Sequence, residues 1–336
     1  MTTRRLTTVD AFVITDLDEA PISAGIVRLA PKLLIEGATW LARSQTYQFA
    51  SFERQVGGAS AGINATAEAR AEAIAAFLGE FAAEAGGVLL DAGKGLGAAE
   101  IAALRAEDPR PAAAVDGAAA LRRAGIVAAA ELALGGLDGR SVAIEGFDAA
   151  GLELATDLVA RGARIVAIST ASGTASSTGG FDPAVLAEGL AAHRADLVGE
   201  LGVDATPGWA IFGAAADALF VGSKTGALDH NGAVHVKAKV IVPSGTLPVS
   251  AKALAILSRA GVVVLPDFIV TAGALAAWPT DGATATAEPS TAAELVTSAL
   301  GEVLGAEQGA VLAACERAEA FLLTWRSELP FGRPIA

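Results

Sequence analysis

The chain has 336 residues, of which 53% are hydrophobic and 18% charged, and it carries a formal net charge of −13 at pH 7. This length suits two domains of roughly 100–200 residues each, and the high hydrophobic share excludes a disordered protein. The negative charge argues against nucleic acid as a partner, because an acidic surface repels a phosphate backbone.

The sequence also bounds the compartment in which we expect the chain to work. Its richest apolar segment, residues 260–278, is interrupted by Pro266 and Asp267 and does not reach the ~20 uninterrupted apolar residues of a membrane span. The first residues contain no apolar block of signal-peptide length. A single cysteine, Cys315, excludes an internal disulfide. We therefore expect a cytoplasmic protein without a membrane partner.

The first part of the chain predicts alternating strands and helices. Residues 9–30 alternate as two strands joined by a Pro-containing turn, which predicts an edge hairpin. Apolar positions recur with helical spacing over 31–52, and a glycine-rich break follows at 56–62. A second helix is predicted over 67–85, and it leads into a buried strand at 86–93.

The second part of the chain predicts a doubly wound sheet. Residues 116–136 predict a long connecting helix, with Asp116 as its cap and a glycine pair as its stop. Residues 173–180 are predicted as a loop, and residues 290–328 as helical. Beyond the connector, apolar segments alternate with helices, which is typical of a parallel doubly wound sheet. These segments are VAIEG, RIVAIS, ALFVG, AKVIVPSG and GVVVLPD.

Together these elements predict an α/β protein with two domains and a cleft between them. The N-terminal α/β domain is predicted over 1–115 and a Rossmann-like parallel-sheet domain over 116–275. A C-terminal helical segment, 276–336, is expected to pack back on the N-terminal domain. Two histidines, His230 and His235, are five residues apart, which fits neither a helix face nor one strand face, and we expect no metal site.

The segment 139–169 resembles the strand, glycine turn, helix and strand of a dinucleotide-binding unit. The fingerprint needs three glycines: for the tight turn, for close approach of the pyrophosphate, and for helix packing. Gly146 and Gly151 supply the first and third, with Phe147 after the first, but Asp148 stands at the second. Two like charges 4 Å apart cost about 1 kcal/mol in water and about 4 near a protein surface. Binding of a dinucleotide is therefore doubtful.

Two interpretations of this turn remain open. Asp148 suits the cap of the helix that follows, which would also fill the anion site from within. Alternatively, the second strand ends in Ser169 and Thr170, with Ser172 close behind, where an acidic residue would contact the ribose of NAD. These hydroxyl groups could instead meet the 2′-phosphate of NADP. NAD or NADP is thus a candidate cofactor.

Several stretches, taken in order, resemble the glutamate/leucine/phenylalanine/valine dehydrogenase family. The resemblance runs from about residue 20 to residue 280, and it implies an N-terminal substrate and oligomerisation domain, a C-terminal nucleotide domain, and oxidative deamination of an amino acid in the cleft between them. The segments that carry it are AGIVR, TYQFA, VGGASAGI, LLDAGKG, LDGRSVAIEGFDAAG, AKVIVPSG and GVVVLPDFIVTAGA.

The catalytic groups that the resemblance implies are mostly replaced. The family lysine that activates water falls on Ser60, and the lysine that holds the substrate carboxylate falls on Gln48. Neither residue brings a positive charge, and serine has no pKa near neutrality for proton transfer. The family aspartate is retained as Asp91, at the carboxyl end of a predicted strand. Lys94, three residues later, could act as a displaced lysine.

Two functions follow from this pattern. In the first, ordinary oxidative deamination is lost and the scaffold is kept for assembly or for binding another small molecule. In the second, the chain is an NAD(P)-dependent oxidoreductase that acts on an altered amino-acid-like or 2-oxo-acid-like substrate, with Asp91 and Lys94 as its catalytic residues. Both predict a homo-oligomer with a small-molecule ligand in the cleft between the domains.

Overall fold

A computed structural model of the chain describes residues 1–82, 86–106, 108, 110–279 and 288–335. The chain forms two compact α/β units. Unit 1 consists of Met1–Asp116, Ala277–Ala285 and Ala314–Pro334, and unit 2 consists of Gly117–Ala276, Thr286–Ala313 and Ile335–Ala336.

Unit 1 is built on a five-stranded mixed sheet of order β1-β2-β4-β3-β5. Its strands are β1 Thr2–Arg5, β2 Ala11–Thr15, β3 Ser23–Ala30, β4 Gly57–Asn64 and β5 Val88–Ala92. The helices of its first segment are α1 Ile35–Ser51, α2 Arg70–Ala82 and the short α3 Ala112–Asp116, and a 3-10 segment spans Ala98–Arg105. The two predicted helices of this region are confirmed over α1 and over the described part of the second, α2.

The predicted edge hairpin over residues 9–30 is wrong. β2 and β3 are both strands, but they do not pair with each other, because β4 lies between them. β4 is antiparallel to β2 and parallel to β3. The chain leaves β3, passes through α1 and returns as a parallel strand, which is the usual way for a helix to cover a sheet face.

The predicted glycine-rich break is also wrong, because residues 57–64 form the buried central strand β4. Its glycines permit close packing rather than a turn. A Cβ added to Gly58 would lie 1.8 Å from the carbonyl oxygen of Ala42 on α1. Helix α1 therefore rests directly on the backbone of the sheet, and only glycine fits beneath it.

The opposite face of this sheet carries the main core of unit 1. Helix α2 supplies Phe77 and Phe81, whose rings stack with centroids 5.4 Å apart. Alternate positions of the strands point to the same side, as the period of two requires. The strand residues in this buried cluster include Val13, Val27, Ala59, Ala61, Ile63 and Leu90.

Unit 2 contains a six-stranded sheet of order β11-β10-β9-β6-β7-β8. The strands are β6 Ser141–Ile144, β7 Arg164–Thr170, β8 Gly173–Phe181, β9 Ala218–Val221, β10 Val240–Pro243 and β11 Val263–Val264. Its helices are α4 Ala118–Leu134, α5 Ala149–Ala160, α6 Pro183–His193, α7 His230–Ala233, α8 Ala251–Arg259, α9 Asp267–Val270 and α10 Pro289–Val303. The last helix, α11 Ala310–Leu322, begins in unit 2 and continues from Ala314 in unit 1.

The predicted parallel doubly wound sheet is confirmed in unit 2. β6, β7, β9, β10 and β11 are mutually parallel, in the five segments that the sequence indicated. Counted along the chain, the order of the six strands is 6-5-4-1-2-3, the Rossmann arrangement. The strand order reverses between β6 and β9, so the ligand crevice of such a fold is expected outside their carboxyl ends.

Two local predictions in this unit are wrong. Residues 173–180, predicted as a loop, belong to the edge strand β8, which pairs antiparallel with β7. Its serines and threonines suit a strand with one exposed face, while Ala175 is fully buried. Asp116 does not cap the connecting helix: it is the last residue of α3, and Gly117 stands at the start of α4 without a side-chain bond.

The helix stop was predicted correctly, because Gly135 ends α4 in the left-handed conformation with φ of 66°. Within unit 2, α4 packs closely against α10, where a Cβ on Gly125 would lie 2.8 Å from a methyl group of Val296. Across the described residues, no helix combines the length and the apolar character that crossing a membrane requires.

Candidate functional site

Asp91 lies near the end of β5 and is held by Arg110. Nη1 and Nη2 of Arg110 each donate a hydrogen bond of 2.8 Å to one oxygen of the Asp91 carboxylate. The side chain of Asp91 is 35% exposed, whereas that of Arg110 is 5% exposed. A bidentate guanidinium–carboxylate pair of this kind is strong and geometrically fixed. Both oxygens of Asp91 are therefore engaged.

Arg110 binds a second carboxylate, that of Asp108. Its Nε and Nη2 donate to Asp108 at 2.9 and 2.6 Å. Its guanidinium also lies over the ring of Trp278, 5.0 Å from the centroid. Burial tends to lower the pKa of Arg110, but hydrogen bonds to Asp91 and Asp108 outweigh it and the pKa is raised. Burial tends to raise the pKa of Asp108, but the bonds from Arg110 hold it below its ordinary value.

The residues at the predicted lysine positions are buried. Ser60 lies at the centre of β4 with 0% exposure, and its hydroxyl has no hydrogen-bond partner among the described residues. Ser60 and Asp91 pair with the same residue of β3, Ile26, from opposite sides. They therefore share one face and one row of the sheet, two strand spacings or about 10 Å apart. Gln48 is 8% exposed on α1.

Lys94 does not share this environment. It is exposed in the turn that follows β5, and its carbonyl oxygen accepts a hydrogen bond from the backbone of Leu29. On the face that holds Ser60 and Asp91, the half-buried Arg28 instead supplies a cation. Burial lowers the pKa of Arg28, and its Nε has no partner in the described part of the chain.

In unit 2 the structure brings together most of the residues predicted to hold a cofactor. Gly146 follows β6 with φ of 77°, and its N–H donates to Ser169 Oγ at 3.3 Å. The N–H of the buried Phe147 donates to the carbonyl oxygen of Ser169 at 2.6 Å. Asp148 caps α5, because its Oδ1 accepts from Gly151 N–H at 3.0 Å. The prediction that Asp148 caps a helix is confirmed.

Two hydroxyl groups, one at the end of β7 and one just after it, are already used as donors. Thr170 Oγ1 donates to the carbonyl oxygen of Ala195 at 2.5 Å, and Ser172 Oγ donates to the Asp196 carboxylate, also at 2.5 Å. A phosphate group here would have to compete with a carbonyl oxygen for one hydroxyl and with a negative charge for the other.

The turn after β6 also contacts the turn after β9, through Glu145. The carboxylate of Glu145 accepts hydrogen bonds from the N–H groups of Gly222 and Ser223, both at 3.1 Å, and from the Ser223 hydroxyl. A Cβ on Gly146 would lie 2.4 Å from the Ser223 side chain. The two turns that flank the reversal of strand order are therefore in direct contact.

Comparison with known proteins gives the family. The sequence model described as glutamate/leucine/phenylalanine/valine dehydrogenase matches residues 116–324, more than half of the chain. The chain belongs to this dehydrogenase family. The glutamate dehydrogenase of Aeropyrum pernix is 32% identical over 152 residues, which make up 43% of this chain. The matched part spans only 34% of that enzyme's own length.

Solved structures of amino-acid dehydrogenases have the same fold. The hetero-hexameric glutamate dehydrogenase from Thermus thermophilus, in its leucine-bound form, superposes with a TM-score of 0.75 and 21% identity, over 97% of this chain and 90% of that one. The L-tryptophan dehydrogenase from Nostoc punctiforme superposes with a TM-score of 0.64 and 18% identity, over 96% of each chain.

The dehydrogenase family implies a nicotinamide dinucleotide, and the described residues of unit 2 do not fit one well. A diphosphate needs free backbone N–H groups and no nearby negative charge. Here the N–H groups of Gly151, Gly222 and Ser223 are bound by the carboxylates of Asp148 and Glu145. Among the described residues, no group of three His, Cys, Asp or Glu is placed to hold a metal ion.

Arg110 and Glu145 are not among the site residues predicted from the sequence. Arg110 stands between two prolines in a segment without periodicity, and its pairing with Asp91 joins residues 19 apart in the chain. Nothing in the sequence indicates that contact. Glu145 did leave a signal, because an acidic residue directly before the first glycine of a dinucleotide turn places a second charge where phosphate would approach.

Proposed function

We propose that this chain is a member of the dehydrogenase family in which ordinary oxidative deamination is lost, and that its scaffold is kept for assembly or for binding another small molecule. The observation that carries the proposal is the ion pair between Asp91 and Arg110. Asp91 is the one family catalytic residue that the sequence retains, and its two oxygens both accept from the same guanidinium.

This pairing opposes the proton transfer for which Asp91 would be needed. A general base must present a free lone pair to the substrate and have a pKa near the working pH. Both oxygens of Asp91 already accept hydrogen bonds from Arg110, so a substrate proton would have to compete with the guanidinium for them. Arg110 cannot replace a lysine in acid–base chemistry, because an arginine stays protonated in proteins.

The uncharged residues at the lysine positions support the same proposal. Ser60 and Gln48 are both buried and bring no positive charge to hold a carboxylate or to promote an imine. We propose that unit 1 binds a small molecule in place of the family's amino-acid substrate. This molecule would lie beside Arg28 and Asp91, on the sheet face that α1 covers. We also propose that the protein works in the cytoplasm as a homo-oligomer.

The second candidate function is an NAD(P)-dependent oxidoreductase that acts on an altered amino-acid-like or 2-oxo-acid-like substrate. It is favoured by the partial exposure of Asp91 and by the exposed Lys94 in the turn that follows the same strand. In this candidate the Asp91 carboxylate would release Arg110 and contact the substrate, and Lys94 would supply the amine that the family lysines otherwise provide.

A turnover assay tests whether ordinary oxidative deamination is lost. Purified protein is incubated with glutamate, leucine, phenylalanine or valine and with NAD or NADP, and formation of reduced cofactor is followed at 340 nm. We expect no rate above that of the Asp91→Asn variant, which serves as the matched control. A wild-type rate of the order of 1 s⁻¹ or more, as is usual for enzymes, that is abolished in Asp91→Asn would overturn the proposal.

A further inference from the structure

We infer that Glu145 closes the dinucleotide crevice of unit 2 from within, by acting as a tethered anion on the backbone N–H groups that a phosphate would otherwise use. This inference concerns binding in unit 2 alone. It does not rest on the proposed function, because a protein can lose deamination and still bind a dinucleotide.

The anion site is formed by the turn after β9. The consecutive N–H groups of Gly222 and Ser223 point to one place, and the Ser223 hydroxyl is directed to the same place. Successive backbone N–H groups of this kind form a concavity that binds anions such as phosphate. All three donors converge on the single carboxylate of Glu145, so this concavity is already filled.

The contact made by Glu145 lies at the point where the strand order of the sheet reverses. Glu145 directly follows β6, and its own N–H donates to Phe220 in β9 at 2.9 Å. β6 and β9 are the neighbouring strands between which the strand order reverses. In an open α/β sheet this is where a nucleotide ligand binds. Glu145 thus joins the turn after β6 to the turn after β9, on the two sides of that crevice.

Close packing of the backbone reinforces the closure. A Cβ on Gly146 would lie 2.4 Å from Ser223, and a Cβ on Gly222 would lie 2.4 Å from the hydroxyl of Ser244. A Cβ on Gly245 would lie 2.4 Å from the carbonyl oxygen of Gly222. The turns after β6, β9 and β10 therefore touch in sequence, with a glycine at each contact.

Charge acts in the same direction as packing. Glu145 and Asp148 place two carboxylates within one turn, and each binds N–H groups of unit 2. A diphosphate that entered here would meet both negative charges and would have to displace Glu145. The glutamate has the advantage in this competition, because a tethered group loses no translational freedom when it binds.

The first test measures binding of a simple anion. Inorganic phosphate is titrated against wild type and Glu145→Ala while the midpoint of thermal unfolding is recorded. A ligand that binds only the folded state raises this midpoint by mass action. We expect 20 mM phosphate to raise the midpoint of Glu145→Ala by at least 2 °C more than that of wild type. Glu188→Gln, an exposed change of charge on α6, should respond as wild type does.

The second test measures binding of NADH and NADPH by fluorescence titration. We expect neither dinucleotide to bind saturably to wild type or to Asp148→Gly at concentrations below 1 mM. The dissociation constant of Glu145→Ala/Asp148→Gly should be at least tenfold lower than that of wild type. If the alanine variants fold poorly, Glu145→Gln keeps the shape of the side chain and removes its charge. Phosphate should then raise its unfolding midpoint by more than that of wild type, but by less than expected for Glu145→Ala.

Three results would overturn the inference. The first is micromolar binding of NADH or NADPH to wild type. The second is an equal phosphate response in wild type and Glu145→Ala. The third is a folded Glu145→Gln variant whose phosphate response matches that of Glu188→Gln. Deamination activity plays no part in any of these measurements, so this inference and the proposed function can fail separately.

Discussion

Replacing Arg110 by methionine should destabilise unit 1 strongly. The side chain of Arg110 is 5% exposed and that of its partner Asp108 is 6% exposed, so the substitution leaves a buried carboxylate without its guanidinium. Removing one partner of a buried ion pair costs about 3–5 kcal/mol. Asp91 is 35% exposed, and its share of this loss is about 0–1 kcal/mol, as for exposed pairs.

The appropriate assay is urea unfolding followed by circular dichroism, with a control variant and a double variant. Arg123→Met is the control, because Arg123 also binds two carboxylates but these are 60% and 42% exposed. It should cost about 0–1 kcal/mol. Asp108→Asn/Arg110→Met should recover about 0.5–3 kcal/mol relative to Arg110→Met, because no buried charge then remains unpaired. The reasoning is refuted if Arg110→Met and Arg123→Met cost the same.

Two further predictions concern other parts of unit 1. The Glu80 carboxylate accepts hydrogen bonds from Thr8 and Thr7, which lower the pKa of Glu80 from 4.5 to about 2. The stabilisation of the fold by the charged Glu80 should therefore be complete above pH 4.5 and be lost as the pH falls towards 2. The difference in unfolding free energy between wild type and Glu80→Gln should shrink over that range, with Glu72→Gln as the control on the same helix. Gly58→Ala should destabilise by about 1–3 kcal/mol or more, because its Cβ would overlap the backbone of α1. Gly37→Ala, whose Cβ meets nothing within 4 Å, should instead stabilise α1 by up to about 1 kcal/mol; equal effects of the two substitutions would contradict the packing argument.

The sequence predicted those elements whose pattern is local. The parallel strands of unit 2 are short, continuous apolar runs bounded by turns, because both faces of such a sheet are buried. Helix α5 and its cap Asp148 were predicted from an N-terminal signal that lies within a few residues. A parallel sheet with helical crossovers follows from the alternation of these elements.

Where the sequence analysis failed, contacts distant in the chain decide the structure. β4 is rich in glycine, which normally weakens a strand, and it is stable here because α1 packs directly on it. The pairing of β2 with β4 rather than β3 depends on where the chain returns after α1. In the candidate site, Ser60 and Gln48 were visible as substitutions, but the guanidinium that neutralises Asp91 comes from a segment without any pattern.

The central claim, that ordinary oxidative deamination is lost, is tested most directly by turnover in the reductive direction. The rate of NADH and NADPH consumption is measured with ammonia and the 2-oxo acids that correspond to glutamate, leucine, phenylalanine and valine. This measurement requires the cofactor and the substrate to bind and react together, whereas the unfolding and ligand-binding tests each examine one unit. The account predicts no consumption above that of the Asp91→Asn variant. Steady turnover by wild type with any of these 2-oxo acids, abolished in Asp91→Asn, would contradict it.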